Sequence, residues 1–242
     1  MMHKRGSCLL AGMLACVASG AAQANSPHSF SANVGLFSDY IYRGISQTDR
    51  GPAVQGGFDY AYDAGDVDAY LGVWGSNVEF GGGDDNSVEL DVYGGLTGEL
   101  LDSGVGWDLG GIYYIYPKDD NDLDFGEVYL GLDYTFQNAP LSPTLATYIY
   151  YSPDFSGNTG DAYYINPSLG LSLPHEFSLN LSYGYQDVDD IGNYSNWSVG
   201  VSRDISIFTL GLSYSDTFDN EDFCAGSSIC DDTFVFSVSS SF

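Results

Sequence analysis

The chain has 242 residues, with 33 acidic residues against six basic ones and a formal net charge of −27. This charge excludes a nucleic-acid-binding surface, because phosphate backbones are bound by clustered Lys and Arg. Hydrophobic residues make up 44% and aromatic residues 15% of the chain, which excludes the composition of a disordered protein. The length suits one large all-β domain.

The first 24 residues have the features of a secretory signal peptide. "MMHKR" is a short positive start, "GSCLLAGMLACVASG" is a small apolar stretch, and Ala22-Gln23-Ala24 is an A-x-A cleavage site. The apolar stretch is too short for a spanning helix. A lipoprotein signal with Cys16 after "MLA" is the alternative. Cleavage leaves residues 25–242, with four basic and 33 acidic residues and a formal charge of −29.

Alternating apolar and polar residues predict twelve strands in this exported part. Period-two alternation over about ten residues is typical of a strand with two unlike faces. In "FSLNLSYGYQ", for example, Phe177 and Leu179 alternate with Ser178 and Asn180. The apolar face stays ambiguous in "VDAYLGVWGSNV" and "TLATYIYY". The predicted strands are 30–42, 53–63, 67–79, 87–100, 104–116, 125–136, 143–152, 162–173, 177–186, 195–204, 206–215 and 232–242.

The connections between these segments alternate in length. Short ones such as "AGD" and "PHE" take turns with longer acidic ones such as "RGISQTDRGP" and "GGGDDNS". Antiparallel strands with short turns at one end and longer loops at the other predict an up-and-down barrel. A soluble β-sandwich has the same period, but its polar face would carry Lys, Glu and Arg. Here that face is Ser, Gly, Asn and Thr with scattered acids.

The apolar face ends in aromatic residues, as in a barrel embedded in lipid. A sheet spans a membrane only if it closes on itself, because hydrocarbon does not tolerate unpaired backbone groups. Such barrels carry aromatic girdles at both interfaces and a polar lumen. We therefore predict an all-β transmembrane barrel in the cell outer membrane, with short periplasmic turns and longer acidic extracellular loops. The predicted girdle residues are Tyr40, Tyr42, Tyr60, Tyr62, Tyr134, Phe136, Tyr183, Tyr185 and Phe242.

The parity of each strand predicts which charged residues face the lumen. In "SDYIYRGISQT", Tyr40 and Tyr42 fall on the apolar face, and Asp39 and Arg43 fall on the other. Facing lipid at mid-depth would cost about 2–4 kcal/mol for an arginine. Asp39 and Arg43 would lie about 13 Å apart along a strand, so we expect Arg43 to pair with Asp59 or an acid of the closing strand. The predicted lumen-lining residues are Asp39, Arg43, Asp59, Glu89, Asp91, Asp108, Glu127 and Asp133.

Cys224 and Cys230 are the two cysteines that remain after signal cleavage, in "CAGSSIC". An exported chain passes through an oxidising compartment, so we predict a disulfide between them. A metal pair is the weaker alternative, because neither a histidine nor a third cysteine lies nearby in the sequence.

Several blocks of the chain are similar to one family. "SDYIYRGISQTDRGPAVQGGFDY", "YLGVWGSNVEF", "VELDVYGG", "GDAYYINPSLGLSLP", "WSVGVSRD" and the terminal "FVFSVSSSF" resemble, in order, the TorF-type porins, also known as Gcw_chp proteins. The resemblance covers essentially all of the exported chain. It implies an outer-membrane β-barrel of a Gram-negative bacterium that acts as a channel. It also implies that the barrel-assembly machinery recognises the terminal Phe242. The cysteine pair departs from the family pattern.

An embedded hydrolase is the enzymatic alternative, and it needs a Ser–His pair at the reaction site. The exported chain has only His28 and His175, both predicted at the short-turn end and far apart. We therefore predict no enzyme. The carboxylates of "DDNDLDFGE" at 119–127 could hold calcium, but the segment lacks the glycine and the glutamate of an EF-hand loop, which favours a solvated loop. We predict no metal and no cofactor.

These features predict a channel for passive diffusion of small hydrophilic solutes. Rings of acidic residues favour cations, and Arg43 is the main basic residue of the predicted lumen, so a cation preference is expected. A closed barrel that serves as a scaffold for surface display or adhesion is the alternative. The expected partners are the lipid bilayer with its lipopolysaccharide, the assembly machinery and small solutes, without nucleic acid.

Overall fold

The computed structural model describes residues 26–80, 87–118, 122–219, 221–224 and 226–242, without the side chain of Glu221. It forms a closed antiparallel barrel of twelve strands, in which each strand pairs with the next barrel strand along the chain and the last pairs with the first. In chain order the strands are β1 (His28–Phe37), β2 (Ile41–Tyr42), β3 (Ile45–Ser46), β4 (Ala53–Asp63), β5 (Val67–Asn77), β6 (Val88–Glu99), β7 (Val105–Ile115), β8 (Phe125–Thr135), β9 (Thr144–Ser152), β10 (Ala162–Leu173), β11 (Phe177–Val188), β12 (Gly192–Ile205), β13 (Phe208–Phe218) and β14 (Thr233–Ser241). The short strands β2 and β3 form a separate two-stranded hairpin.

The outer surface of the barrel is apolar. Val128, Leu130 and Leu132 of β8 are exposed, whereas Tyr129, between them, is buried inside. The ambiguous segment of β5 has its aliphatic residues outside: Leu71 is 56% exposed, and Trp74 is 7% exposed and faces inward. This alternation gives each strand one lipid-compatible face and one interior face.

Tight turns join the strands at one end of the barrel. Leu101 and Asp102, between β6 and β7, both have positive φ angles of 46° and 55°. His175 and Glu176, between β10 and β11, have φ angles of 64° each. Consecutive positive φ angles are typical of type I′ hairpin turns, whose twist matches that of the flanking strands. The longer connections lie at the opposite end, as the sequence predicts.

The barrel closes between the first and last strands. Asn33 to Phe37 of β1 pair with Ser241 to Ser237 of β14. The N–H of Phe242 donates to the carbonyl of Ala32 at 2.8 Å, and the Phe242 side chain is exposed on the outside. The seam therefore leaves no free sheet edge along these residues.

The long connection between β13 and β14 contains a helical turn (Glu221–Cys224) and a 3₁₀ turn (Ser228–Cys230). Cys224 and Cys230 form the predicted disulfide between these two turns. In the parts of the chain that the structure describes, no helix is long and apolar enough to cross a membrane. The signal peptide at 1–24 and residues 81–86 of the "GGGDDNS" loop lie outside the described residues, and the signal peptide stays a prediction.

The first predicted strand is wrong in its length. Strand β1 ends at Phe37 and does not continue to residue 42. Phe37 pairs with Ala53 at the start of β4, so residues 38–52 leave the sheet and return to it at the same level. We name residues 38–52 the inward loop, because its side chains contact the interior faces of strands around the barrel.

Candidate functional site

The inward loop occupies the long-loop half of the barrel interior. The hairpin of β2 and β3 forms its centre, with a two-residue turn at Arg43 and Gly44. Both turn residues have positive φ angles, 48° and 87°. Positive φ is unfavourable for an arginine by roughly 1–2 kcal/mol, so contacts of the turn with the barrel wall must offset this cost.

Arg43 makes the principal contacts between the loop and the wall. Its guanidinium donates to Glu127 of β8 at 2.6 Å and to Gln186 of β11 at 2.7 Å. The Arg43 and Glu127 side chains are only 5% and 1% exposed. A buried ion pair is strongly destabilised when one partner is removed, because the other charge is left uncompensated.

Aromatic rings surround the same guanidinium. The Arg43 Cζ lies 4.8 Å from the ring centroid of Tyr42, 5.0 Å from that of Tyr150 and 4.3 Å from that of Tyr164. Cation–π contacts of this kind contribute most where the cation is desolvated. Arg43 is therefore held by one carboxylate, one amide and three rings.

Further bonds fix the tip and the near side of the loop. The Thr217 hydroxyl of β13 donates to the carbonyl of Gly44 at 2.7 Å. On the opposite wall, the Tyr40 hydroxyl donates to Glu89 of β6 at 2.9 Å. The loop thus spans the interior from β6 to β13.

Asp39 stabilises the loop internally. Ser46 donates to its carboxylate at 2.7 Å, and the Thr48 hydroxyl lies 3.0 Å from the same oxygen. Burial raises the pKa of Asp39, while the contacts with Ser46 and Thr48 and the charge of Arg50 oppose that shift. Asp39 thus links two parts of the loop through hydrogen bonds. Its carboxyl is easier to protonate in the folded loop than in the free loop, because its pKa is raised.

The loop also contacts the disulfide-bonded connection. The Arg50 guanidinium donates to the carbonyls of Ser228 and Asp232 at 2.7 and 3.0 Å. The disulfide of Cys224 and Cys230 lies in this connection. The inward loop and the β13–β14 connection meet at the long-loop end, so these hydrogen bonds hold the base of the inward loop in place.

The interior below the loop contains a second polar cluster, on β4 to β9. Asp108 accepts hydrogen bonds from Tyr70 at 2.7 Å and from Tyr148 at 3.1 Å. Tyr129 lies 2.5 Å from the Tyr70 hydroxyl. Asp59 accepts a hydrogen bond from Tyr93. Asp59 and Asp108 are therefore held by tyrosines.

The opposite wall, on β10 to β14, is lined by small residues. The hydroxyls of Ser182 and Ser198 are 2.8 Å apart on neighbouring strands. These inward residues are half-buried, whereas Tyr129 and Tyr148 across the lumen are buried, so water has access to this side of the interior. They are Ser168, Gly170, Ser182, Ser198, Gly200, Ser202, Ser213, Ser237 and Ser239.

All eight residues predicted to line the lumen lie inside the barrel or in the inward loop. Arg43, Glu89, Asp91 and Glu127 are brought together in the long-loop half, where they are buried. Asp59, Asp108 and Asp133 lie on inward positions nearer the short-turn end. Asp39 belongs to the loop and not to a strand face.

Two expectations about this region are wrong. Tyr40 and Tyr42 are not girdle residues: Tyr40 is buried against Trp74, and Tyr42 stacks edge-on against Tyr114, both inside the barrel. Arg43 pairs with neither Asp59 nor the closing strand, but with Glu127. Both errors have one cause, because a chain that leaves the sheet at Phe37 no longer obeys strand parity.

The aromatic interior was not predicted. Tyr93, Tyr129, Tyr148, Tyr150 and Tyr164 are all buried inside the barrel. The signal was present in the sequence. In "VYLGLDY" the aliphatic residues alternate on the lipid face, which places the first tyrosine, Tyr129, on the interior face. Glycines accommodate these rings. The Tyr148 ring, for example, lies over Gly131, where no Cβ would fit.

Residues 119–121 of the calcium alternative lie outside the described residues, and the described side chains of the calcium and hydrolase alternatives have other partners. Asp124 accepts from the Tyr116 N–H at 2.6 Å, and Asp122 accepts from Asn158 at 3.0 Å. The His28 ring bonds the Tyr60 hydroxyl at 2.7 Å. Within the described ranges no three acidic, histidine or cysteine side chains come together as a metal site.

Comparison with known proteins gives a family and a fold. A family model described as a bacterial protein of unknown function (Gcw_chp) matches residues 21–242. The more specific TorF-type name stays a prediction. A search of curated proteins finds no significant match.

Solved structures share the architecture at low sequence identity. A KdgM porin aligns with a TM-score of 0.57 and 9% identity, over 88% of this chain and 98% of the porin. An outer-membrane channel from Pseudomonas putida F1 aligns with a TM-score of 0.52 and 10% identity, over 89% of this chain and 94% of the channel. These similarities show that the fold is that of outer-membrane porin barrels.

Proposed function

The chain belongs to the Gcw_chp family of bacterial proteins of unknown function, and from its barrel we propose that it is an outer-membrane channel for small hydrophilic solutes. The observation that carries this proposal is a closed barrel with an apolar exterior and a polar, acid-bearing interior. An apolar exterior needs lipid, and a polar interior needs water or a polar solute. With an even number of strands, both termini and the short turns face the periplasm.

The inward loop makes this a gated channel. Asp39, Arg43, Ser46 and Thr48 are buried, as are the wall residues that hold them, so the interior is packed at this level. Below the loop, the half-buried serine wall of β10 to β14 provides a hydrated surface. A solute that enters from the long-loop end must displace the inward loop before it reaches this surface.

The charges of the interior support a preference for cations. The interior carries Asp59, Glu89, Asp91, Asp108, Glu127 and Asp133 on its strands. In the described part of the chain, Arg43 is the one basic residue buried among them. Acidic linings lower the electrostatic barrier to cations and raise it for anions.

Liposome swelling tests the proposal. Liposomes that contain the refolded protein should swell in isotonic solutions of small neutral sugars, and faster in those of small cationic solutes than of anionic ones. Empty liposomes and heat-denatured protein provide the controls. A folded, inserted barrel that admits no solute would instead support a scaffold for surface display or adhesion.

A further inference from the structure

The side chain of Arg50 links the inward loop to the connection between β13 and β14. Its guanidinium donates to the carbonyls of Ser228 and Asp232 at 2.7 and 3.0 Å. These two residues lie on either side of Cys230, one within the disulfide-closed segment 224–230 and one beyond it. Because one planar guanidinium bonds both carbonyls, both hydrogen bonds form only while the spacing of the carbonyls is kept. The position of Cys230 therefore controls this contact.

Arg50 is also bonded to the centre of the inward loop. Its N–H donates to the Ser46 hydroxyl at 2.8 Å, and Ser46 in turn donates to Asp39 at 2.7 Å. Arg50 and Asp49 before it have positive φ angles of 62° and 47°. A positive φ is unfavourable for an arginine, so its contacts have to hold this turn in shape. Loss of the guanidinium contacts would therefore loosen the hairpin of β2 and β3 as well.

The other end of the disulfide is anchored to the barrel wall. Phe223, which precedes Cys224, packs its ring edge-on against Tyr194 of β12, with 4.6 Å between the ring centroids. Tyr194 is buried inside the barrel. The disulfide joins Cys224 to Cys230, six residues further along the chain. It therefore ties the carbonyls that bind Arg50 to a side chain packed against the wall.

A chain of contacts thus runs from the wall through the disulfide and Arg50 to the inward loop. We propose that the disulfide is a redox latch, whose reduction by an external dithiol releases the inward loop from the connection. A thiolate of the dithiol attacks one sulfur atom and breaks the S–S bond, and the second thiol of the dithiol resolves the mixed disulfide. The dithiol is oxidised to its own disulfide, and Cys224 and Cys230 become thiols by taking up two electrons and two protons.

The location of the disulfide allows such a reaction. The connection lies at the long-loop end, which the proposed topology places outside the cell, so a dithiol reaches it without crossing the membrane. Cys224 and Cys230 are 5% and 2% exposed, so reduction requires a local opening of the connection, and the latch stays closed in oxidising surroundings. The latch concerns the docking of the inward loop, and only its effect on conductance rests on the proposed channel function.

Hydrogen exchange of the folded protein with and without dithiothreitol tests the latch. The Glu79 N–H donates to the carbonyl of Gln47 in the inward loop at 2.7 Å, so its exchange reports on the docked loop. Once alkylation and mass analysis show two free thiols, this exchange should be about tenfold faster, while amides of the barrel strands keep their protection. The C224S/C230S variant should show the faster exchange without dithiothreitol and no further response to it.

Arg50→Gln tests the route from the disulfide to the loop. It removes the guanidinium that bonds the connection, so it should speed Glu79 exchange by itself, and dithiothreitol should then add little. Arg203→Gln is the matched control, because Arg203 lies on β12 over the Phe177 ring, away from the inward loop, and it should keep the full response.

Three results would overturn the latch: equal exchange in the oxidised and reduced proteins, a disulfide that resists reduction in the folded barrel, or a full response to dithiothreitol in Arg50→Gln. Conductance recorded under the same conditions separates the latch from the channel function. Faster loop exchange without any conductance would support the latch and contradict the channel.

Discussion

Glu127→Gln should release the inward loop without unfolding the barrel. The change replaces the carboxylate that Arg43 contacts at 2.6 Å by a neutral amide, so the buried guanidinium is left with two amides, those of residues 127 and 186, and three rings but no counter-charge. Removal of one partner of a buried ion pair costs about 3–5 kcal/mol. Because the remaining contacts are kept, we expect the free energy of loop docking to weaken by the lower value, about 3 kcal/mol. This raises the ratio of displaced to docked loop by about 150-fold.

Hydrogen exchange measures this shift directly. The Glu79 N–H, just after β5, donates to the carbonyl of Gln47 in the inward loop at 2.7 Å, so its exchange reports on the docked loop. Its exchange should be faster in Glu127→Gln by about the same 150-fold, while amides of the barrel strands keep their protection. The conductance of membranes that contain the variant should rise in parallel.

Two variants control for this interpretation. Glu176→Gln removes an exposed acid from the short turn between β10 and β11 and should leave loop exchange unchanged. The double variant R43M/E127L replaces the pair by apolar side chains and should restore much of the docking, because a buried ion pair can often be replaced in this way. Loop exchange that is the same in Glu127→Gln as in the wild type would refute the role of the Arg43–Glu127 pair.

Three further predictions concern selectivity, pH and topology. Arg43→Gln should raise the permeability ratio of potassium to chloride in reversal-potential measurements, because an acidic interior loses its one buried base; an unchanged ratio would contradict the charge-filter proposal. Burial raises the pKa of Asp39 above the ordinary carboxyl value of about 3.9, so the docked loop binds a proton more readily than the free loop. Docking should therefore strengthen as pH falls through the raised pKa and weaken as pH rises through it. Conductance should thus decrease on acidification, and Asp39→Asn should reduce that decrease. A conductance–pH profile of Asp39→Asn that is identical to the wild-type profile would contradict this role of Asp39. A cysteine that replaces Asp154 should react with an impermeant label on intact cells, and one that replaces Leu101 only after permeabilisation; the reverse pattern would invert the topology.

The strands could be predicted because each has two chemically unlike faces. Strands β4 and β10 begin and end at the predicted residues, 53–63 and 162–173. In these segments the aliphatic residues must face lipid, so alternation alone fixes the face and the approximate length. The disulfide was predictable for a similar local reason, since its two cysteines are close in the sequence.

The inward loop could not be predicted from the same pattern. "SDYIYRG" alternates like the strand before it, and a local pattern does not distinguish a strand from a chain that turns inward. The decisive partners are remote: Glu127 and Gln186 are 84 and 143 residues from Arg43. The one local sign was Gly44, which follows Arg43 and permits the tight turn with positive φ at both residues.

Single-channel recording of a loop-shortened barrel tests the central proposal most directly. Phe37 pairs with Ala53, so a short Gly/Ser turn in place of residues 38–52 can join β1 to β4 as a simple hairpin. We predict infrequent, brief openings for the wild-type protein and long-lived discrete conductance steps for the loop-shortened barrel. A loop-shortened barrel that folds and inserts but gives no conductance would contradict a channel closed by the inward loop.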